Sequence, residues 1–335
     1  MGVLIWFRHM SKVVTFSTMK NLTLFTLLIL VHVAACSENT DNRGLVVDSE
    51  RGRNIPYEMW LPTMTLRESS TLGRKEKKFP LIVISHGSGG DYSNHSWLID
   101  AFVDSGFIVA GLNHPLNTTA DNTDEGVVSV WLRPADVTKL LDHLLEDSTW
   151  APLIDAERIG AAGFSSGGYT ALALAGAIYN AELMQAYCGS KASGKDCELA
   201  ADFSNVNYAG SSNSYSDKRI KSIFAMAPAV GSAITRDSLA NIQRPVSIIA
   251  AADDELVPAQ TSALRYAKNI PHSELNLLPS GGHFIFLQCN AIIKIVDWFN
   301  TDLDLCGTQF AVDRREVRMG IATIATEFFD RTIGG

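Results

Sequence analysis

A short apolar segment that runs into a serine framed by glycines constrains the fold of this chain more than any other feature. Residues 159–162 predict a buried strand, Gly163-Phe164-Ser165-Ser166-Gly167 follow at once, and an Ala/Leu-rich stretch up to about Ile178 predicts a helix. The pattern G-x-S-x-G marks a tight strand-to-helix turn, in which the glycines give room to a strained serine. The sequence therefore predicts that Ser165 is a nucleophile held on such a turn.

Further segments predict that this turn belongs to one large α/β domain. Helical spacing alternates with continuous apolar runs, and Ile55–Leu61 predicts an edge strand; the runs are 81–84, 107–112, 220–227 and 246–251, with a weaker one at 276–278. Apolar runs of this kind are typical of parallel strands that are buried on both faces. We therefore expect a mostly parallel sheet with helices on both faces, in a single domain over residues 55–335. Residues 179–219 break the alternation, and either a cap over a cleft or a solvated insertion fits them.

The N-terminal segment predicts export. A basic residue, Lys20, precedes the apolar run 22–31, which is shorter than the roughly 20 residues of a membrane-spanning helix. Val33-Ala34-Ala35-Cys36 resembles the bacterial lipobox, in which the cysteine carries the lipid. We expect residues 1–36 to be a signal peptide, Cys36 the lipid attachment site and residues 37–54 a tether. The predicted location is the bacterial cell envelope. The protein is expected to be an outer-membrane lipoprotein that faces the periplasm or the exterior and contacts the membrane only through its lipid anchor.

The remaining four cysteines predict two disulfides. Their even number in an exported chain suggests cross-links, and of the three possible connectivities sequence proximity favours Cys188–Cys197 and Cys289–Cys306. The alternative is a metal site, but no C-x-x-C pair with matching histidine spacing occurs. We predict no metal. The formal net charge of -8 argues against a nucleic-acid partner.

Candidate partners of Ser165 follow it in the order acid, then histidine, which is the order of this type of fold. His283 comes after the last predicted strand and follows two glycines, as suits a loop that carries an imidazole over the edge of the sheet. The acid must follow the strand at 246–251, where three acidic residues are adjacent. The spacing D-x-x-V-P selects Asp254, and Asp253 is the alternative.

Backbone N–H groups are expected to hold the oxyanion that forms when a serine attacks a carbonyl. One donor is Ser166, the residue after the nucleophile. The second is Ser88, in the loop His86-Gly87-Ser88-Gly89-Gly90 that closes an early strand. A phosphate-binding loop is the competing interpretation of these glycines, but neither G-K-[ST] nor the G-x-G-x-x-G spacing is present.

Taken together, these features resemble the family of platelet-activating-factor acetylhydrolase-like and "predicted dienelactone hydrolase" proteins. The resemblance rests on residues 80–90, 111–115, 133–137 and 158–168. It implies an α/β-hydrolase fold and the hydrolysis of carboxyl esters without a cofactor. Dienelactone hydrolases proper use a cysteine where this chain has Ser165, so the lactone activity is not carried over.

The expected function is that of a serine hydrolase, which forms an acyl-enzyme on a small-molecule, lipid or polyester substrate. Two alternatives stay open. One is a serine peptidase or amidase on the same fold, and the other is a lipoprotein that keeps the fold as a non-catalytic binding module.

Overall fold

The computed structural model describes residues 42–62, 78–198, 206–289 and 304–335, together with Lys294 and Trp298. The predicted export segment with Cys36, and most of the helix expected at 291–299, lie outside these residues. Residues Asn42–Gly335 form a compact unit. Within the described ranges, no helix combines the length and the apolar character that crossing a membrane requires.

In the part of the chain that the structure describes, eight strands form one sheet in the order β1-β2-β4-β3-β5-β6-β7-β8. The pairs β1–β2 and β2–β4 are antiparallel, and every other pair is parallel. The mostly parallel sheet predicted from the apolar runs is therefore confirmed. The strands are β1 Arg43–Asp48, β2 Arg53–Trp60, β3 Phe79–Ser85, β4 Ile108–Leu112, β5 Ile154–Phe164, β6 Ile220–Met226, β7 Val246–Ala251 and β8 Ser273–Leu278.

Helices cover both faces of the sheet. Alternate residues of the central strands point into two separate cores, one with Leu81 and Val83 and the other with Ile82 and Ile84. The α-helices, numbered here in chain order, are α1 Ser96–Asp104, α2 Asp124–Val128, α3 Arg133–Glu146, α4 Ser166–Ala175, α5 Ala181–Cys188, α6 Arg236–Ala240, α7 Ala263–Asn269 and α8 Arg314–Phe329. Buried residues of α3 and α4 belong to the first core, and those of α1 and α8 to the second.

One difference from the sequence prediction lies at the start of the sheet. Ile55–Leu61 was expected as an edge strand, but β2 is internal because β1 pairs with it along its outer side. Arg43–Asp48 therefore belongs to the folded domain, and the tether expected over residues 37–54 must be shortened. Only Val46 and Asp48 of β1 are buried, so this strand is not covered on both faces as the central strands are.

Both predicted disulfides are confirmed. Cys188 pairs with Cys197, and Cys289 pairs with Cys306. The first bridge ties the end of α5 to a 3₁₀ turn at Lys195–Cys197 in the predicted insertion. Disulfides persist in oxidising compartments, so these two bridges indicate an exported or extracellular protein.

Candidate active site

The turn between β5 and α4 holds Ser165 in a strained conformation. Its φ is 55° and its ψ is -117°, in the left-handed half of conformational space that side chains rarely occupy. The backbone is pinned on both sides, because Ser165 N donates to Met226 O at 2.9 Å and Ser165 O accepts from Ala229 N at 3.0 Å. A Cβ on Gly163 would overlap the carbonyl of Gly167. The glycines are therefore required by close backbone approach.

His283 lies directly beside this serine. Its Nε2 is 3.0 Å from Ser165 Oγ, although 118 positions separate the two residues along the chain. The imidazole follows β8 on a turn in which Gly281 and Gly282 have φ values of 138° and 63°, a conformation suited to glycine. The ring also packs on Phe164, with 4.8 Å between ring centroids. The turn and this contact together fix the orientation of the imidazole.

Asp254 completes a line of three side chains. Its Oδ2 is 2.7 Å from His283 Nδ1, and its Oδ1 accepts from the N–H groups of Leu256 and Val257 at 3.0 and 2.7 Å. A carboxylate at Nδ1 favours the tautomer that carries its proton there, which leaves Nε2 free to accept the hydroxyl proton of Ser165. Such an arrangement activates a serine as a nucleophile.

The neighbouring Asp253 points to a different partner. Its Oδ2 accepts from Ser280 Oγ at 2.6 Å and from Gly281 N at 3.3 Å, and its Oδ1 accepts from Gly282 N at 3.0 Å. Burial raises the pKa of Asp253, but the donors Ser280, Gly282 and Gly281 outweigh this effect and lower it. Asp253 therefore fastens the turn that presents His283, and the geometry gives the acid position to Asp254.

The two residues predicted to supply the oxyanion donors lie in segments next to the nucleophile. Ser166 is the first residue of α4, so its N–H has no acceptor within the helix. Ser88 lies in the loop after β3, and a Cβ on its neighbour Gly87 would be 3.5 Å from Ser165 Cβ. The hydroxyl of Ser88 accepts from Asn117 Nδ2 at 3.0 Å, a contact that ties the loop to the segment after β4.

A buried ionic cluster lies next to the Ser88 loop, and it was not predicted from the sequence. Asp136, fully buried on α3, accepts from Arg53 Nε and Nη2 at 2.7 and 2.6 Å and from His114 Nδ1 at 2.9 Å. Burial alone raises the pKa of Asp136, but the hydrogen bonds from His114 and Arg53 lower it to about 2. Arg133, on the same helix, donates to His86 O at 2.8 Å. Two of these charged residues, Arg133 and Asp136, lie in one of the segments on which the family resemblance rests.

Two cavities differ in their relation to the three side chains. A cavity of about 390 Å³ beside β1 and β2 is lined by residues such as Arg43, Glu58 and Tyr92 and by no member of the triad. A smaller one, of about 150 Å³, borders His283 directly. Position decides between them, so the smaller cavity belongs to the candidate site. Among the described residues, no cluster of three potential metal ligands occurs.

Comparison with known proteins identifies the architecture. No protein-family model matches the sequence, and neither does any curated protein. The structure of a ferulic acid esterase from Streptomyces cinnamoneus is similar with a TM-score of 0.57 and 18% identity, over 90% of this chain and 93% of that one. A protein provisionally described as a dipeptidyl aminopeptidase IV from Bacteroides ovatus is similar with a TM-score of 0.52 and 14% identity, over 87% of this chain and 35% of that one. At these identities the similarity shows the fold alone.

Proposed function

Because the chain has an α/β-hydrolase fold, we propose that it is a serine hydrolase that cleaves carboxyl esters with Ser165, His283 and Asp254. The observation that carries the proposal is a hydrogen-bonded line of three side chains. His283 Nε2 is 3.0 Å from Ser165 Oγ, and His283 Nδ1 is 2.7 Å from Asp254 Oδ2. The three side chains meet although they follow three different strands. The esterase named among the similar structures agrees with this proposal.

The proposed reaction has two steps. The Oγ of Ser165 attacks the ester carbonyl while His283 Nε2 takes the hydroxyl proton, and the resulting imidazolium is stabilised by Asp254. The same Nε2 then returns the proton to the leaving alcohol as the C–O bond breaks, which leaves an acyl-serine. A water molecule repeats the sequence: its proton passes to His283, its oxygen adds to the acyl carbon, and the carboxylic acid leaves as Ser165 is protonated.

Stabilisation of the tetrahedral oxyanion is assigned to the N–H groups of Ser88 and Ser166. The N-terminus of α4 adds its dipole, because the first N–H groups of a helix point their positive end at an anion. Each such donor contributes about 10²–10³ to the rate in serine hydrolases. The ionic cluster around Asp136 supports the Ser88 loop, which keeps this donor in place before substrate arrives.

Replacement of the nucleophile tests the proposal. We expect Ser165→Ala to lower kcat for p-nitrophenyl acetate by at least about 10⁴-fold, because the acyl-enzyme cannot form. Ser105→Ala, at an exposed serine between α1 and the start of β4, serves as the matched control and should keep full activity. Circular dichroism verifies that both variants fold. Turnover in Ser165→Ala close to that of the parent would refute the assignment.

Two further assays separate the proposed esterase from its alternatives. An ester and an anilide with the same acyl group distinguish an esterase from a peptidase, since a peptidase cleaves the anilide about as efficiently as the ester. A fluorophosphonate probe labels an activated serine whatever the substrate. Absence of a covalent adduct at Ser165, with the protein folded, would favour a binding module instead.

We also propose that the enzyme is held at the outer membrane by a lipid on Cys36 and acts on a small-molecule, lipid or polyester ester. Support comes from the sequence Val33-Ala34-Ala35-Cys36 and from the two disulfides, which indicate export. Metabolic labelling with a fatty acid should mark the full chain and not Cys36→Ala, and the parent chain should fractionate with membranes. Labelling that persists in Cys36→Ala would contradict the anchor.

A further inference from the structure

The turn that carries His283 is too short to fix its own position. It is a 3₁₀ turn of four residues, His283–Phe286, and the N–H of Leu287 closes it on Phe284 O at 3.0 Å. A turn of this length satisfies few of its own carbonyl groups. The position of the turn, and with it that of the imidazole, therefore depends on donors from other parts of the chain.

Two arginines of α8 supply such donors. Arg314 Nη2 donates to Phe284 O at 2.5 Å and to Leu287 O at 2.9 Å. Arg318 Nη1, one helical turn later, donates to Leu287 O at 3.0 Å. Because Phe284 directly follows His283 in the chain, Arg314 binds the turn immediately after the imidazole.

The placement of these two arginines is unfavourable for α8 itself. Arg314 is the first residue of the helix, where the positive end of the helix dipole disfavours a cation. Arg318 follows four positions later on the same face, and like charges at this spacing destabilise a helix. Helix stability therefore does not explain the two cations, whereas their contacts with the turn do.

The guanidinium of Arg314 is itself held between other parts of the fold. A Cβ on Gly307 would overlap Arg314 Nη1, so the backbone next to the Cys289–Cys306 bridge lies directly against the guanidinium. Further along α8, Ile321 and Phe328 are buried in the second core. Arg314 therefore connects the turn to the body of the domain.

We propose that Arg314 is a positioning residue of the triad, which holds the turn where His283 Nε2 meets Ser165 Oγ. The inference rests on the proposed ester hydrolysis and extends it to the C-terminal helix. Asp253 binds the residues before the imidazole and Arg314 those after it, so the loss of either contact lets the ring move away from the serine. A displacement of about 1 Å can cost on the order of 10²-fold in rate.

Arg314→Met tests this role, because methionine keeps an apolar stem and removes the donors. We expect kcat for p-nitrophenyl acetate to fall about 10–100-fold. KM should stay nearly unchanged, since acylation and deacylation use the same imidazole and slow together. Arg315→Met, at an exposed arginine one position later, is the matched control and should keep the kcat of the parent.

Arg314→Lys carries the same test with a smaller change, and it decides the matter if Arg314→Met does not fold. Lysine keeps the charge but cannot reproduce the planar fork of donors. We expect it to restore part of the rate, with kcat about three- to tenfold below that of the parent and KM again unchanged. Circular dichroism verifies the folding of each variant. A kcat equal to that of the parent in the folded variants would overturn the role of Arg314.

The His283→Ala background separates positioning from a general effect on the site. A serine hydrolase that lacks its histidine keeps a residual rate from its oxyanion donors and from substrate binding. We expect Arg314→Met to leave this residual rate unchanged, because Arg314 acts only through the imidazole. A residual rate that falls as far as kcat does when His283 is present would contradict the proposal.

The parent chain distinguishes this inference from the activity on which it rests. Absence of ester turnover in the parent, together with absence of fluorophosphonate labelling at Ser165, would overturn the proposed hydrolase itself. Turnover in the parent that Arg314→Met and Arg314→Lys both retain in full would overturn only the positioning role.

Discussion

Two adjacent carboxylates, Asp253 and Asp254, have separate roles because successive side chains leave the backbone in different directions. Asp254 faces the imidazole and is held by two N–H groups of its own loop. Asp253 faces the glycine turn before His283 and accepts three hydrogen bonds from it. In the proposed mechanism the first residue stabilises the charge that forms on His283, whereas the contacts of the second hold the turn that carries the ring. No count of acidic residues could have separated them, since only the spacing to Pro258 distinguishes the two in sequence.

The variants Asp254→Asn and Asp253→Asn should therefore differ sharply. We expect Asp254→Asn to lower kcat by about 10³–10⁴-fold, because an amide at Nδ1 favours the wrong tautomer of His283. Asp253→Asn removes only the charge that holds the turn, so a loss of about tenfold or less is expected. Steady-state kinetics on one p-nitrophenyl ester measures both. A larger loss in Asp253→Asn than in Asp254→Asn would reverse the assignment.

At the scale of single elements, the nucleophile turn depends on glycine for steric reasons. A Cβ on Gly167 would overlap the carbonyl of Ser85, the last residue of β3. That contact is between backbones, so no side chain can move to relieve it. Gly320 lies in the middle of α8, where nothing is within 4 Å of an added Cβ. The chain thus contains a glycine that the fold requires and a helical glycine that it does not.

Alanine at these two positions should have opposite effects on stability. We expect Gly167→Ala to destabilise the protein by more than about 3 kcal/mol or to prevent folding, because β3 and α4 would have to separate. Gly320→Ala should stabilise it by about 1 kcal/mol, since alanine has the higher helix propensity. Thermal unfolding of the two variants and the parent measures the difference. Equal melting temperatures for Gly167→Ala and the parent would be incompatible with the described packing.

The elements predicted from sequence were those whose side chains are buried on both faces. Strands β3, β4, β6 and β7 are almost entirely buried, so their apolar runs were visible without a structure. Strand β1 was not predicted because it is the outer strand of the sheet, where Leu45 and Val47 point to solvent at 52% and 65% exposure. The cluster around Asp136 escaped for another reason, since its members come from distant segments and only the tertiary fold brings them together.

For the molecule as a whole, three buried histidines make stability depend on pH. His86, His95 and His114 are fully buried. Burial lowers the pKa of His95 to about 4, and burial together with the charge of Arg133 lowers that of His114 to about 3. Burial and the same arginine hold the pKa of His86 well below its usual value. The unfolded chain binds protons at these residues near pH 6.5, whereas the folded chain does not.

Acidification should therefore destabilise the fold before the carboxylates protonate. Each folded pKa lies below its unfolded value, so stability is complete above about pH 6.5 and falls as the pH decreases from there towards 4. Three such groups correspond to a loss on the order of 5 kcal/mol between pH 6.5 and pH 5. Urea unfolding at a series of pH values measures this slope, and His95→Phe should reduce it by about a third. A free energy of unfolding that is constant over this range would contradict the neutral state of the buried imidazoles.

The long separation between Ser165 and His283 has a consequence for how the protein is made. A ribosome releases the strand with the serine while more than a hundred residues, including the last strand and its histidine, are still to be translated. The nascent chain thus carries a serine without its base. If export precedes folding, hydrolytic capacity arises only outside the cytoplasm, and the producing cell's own esters are not exposed to it.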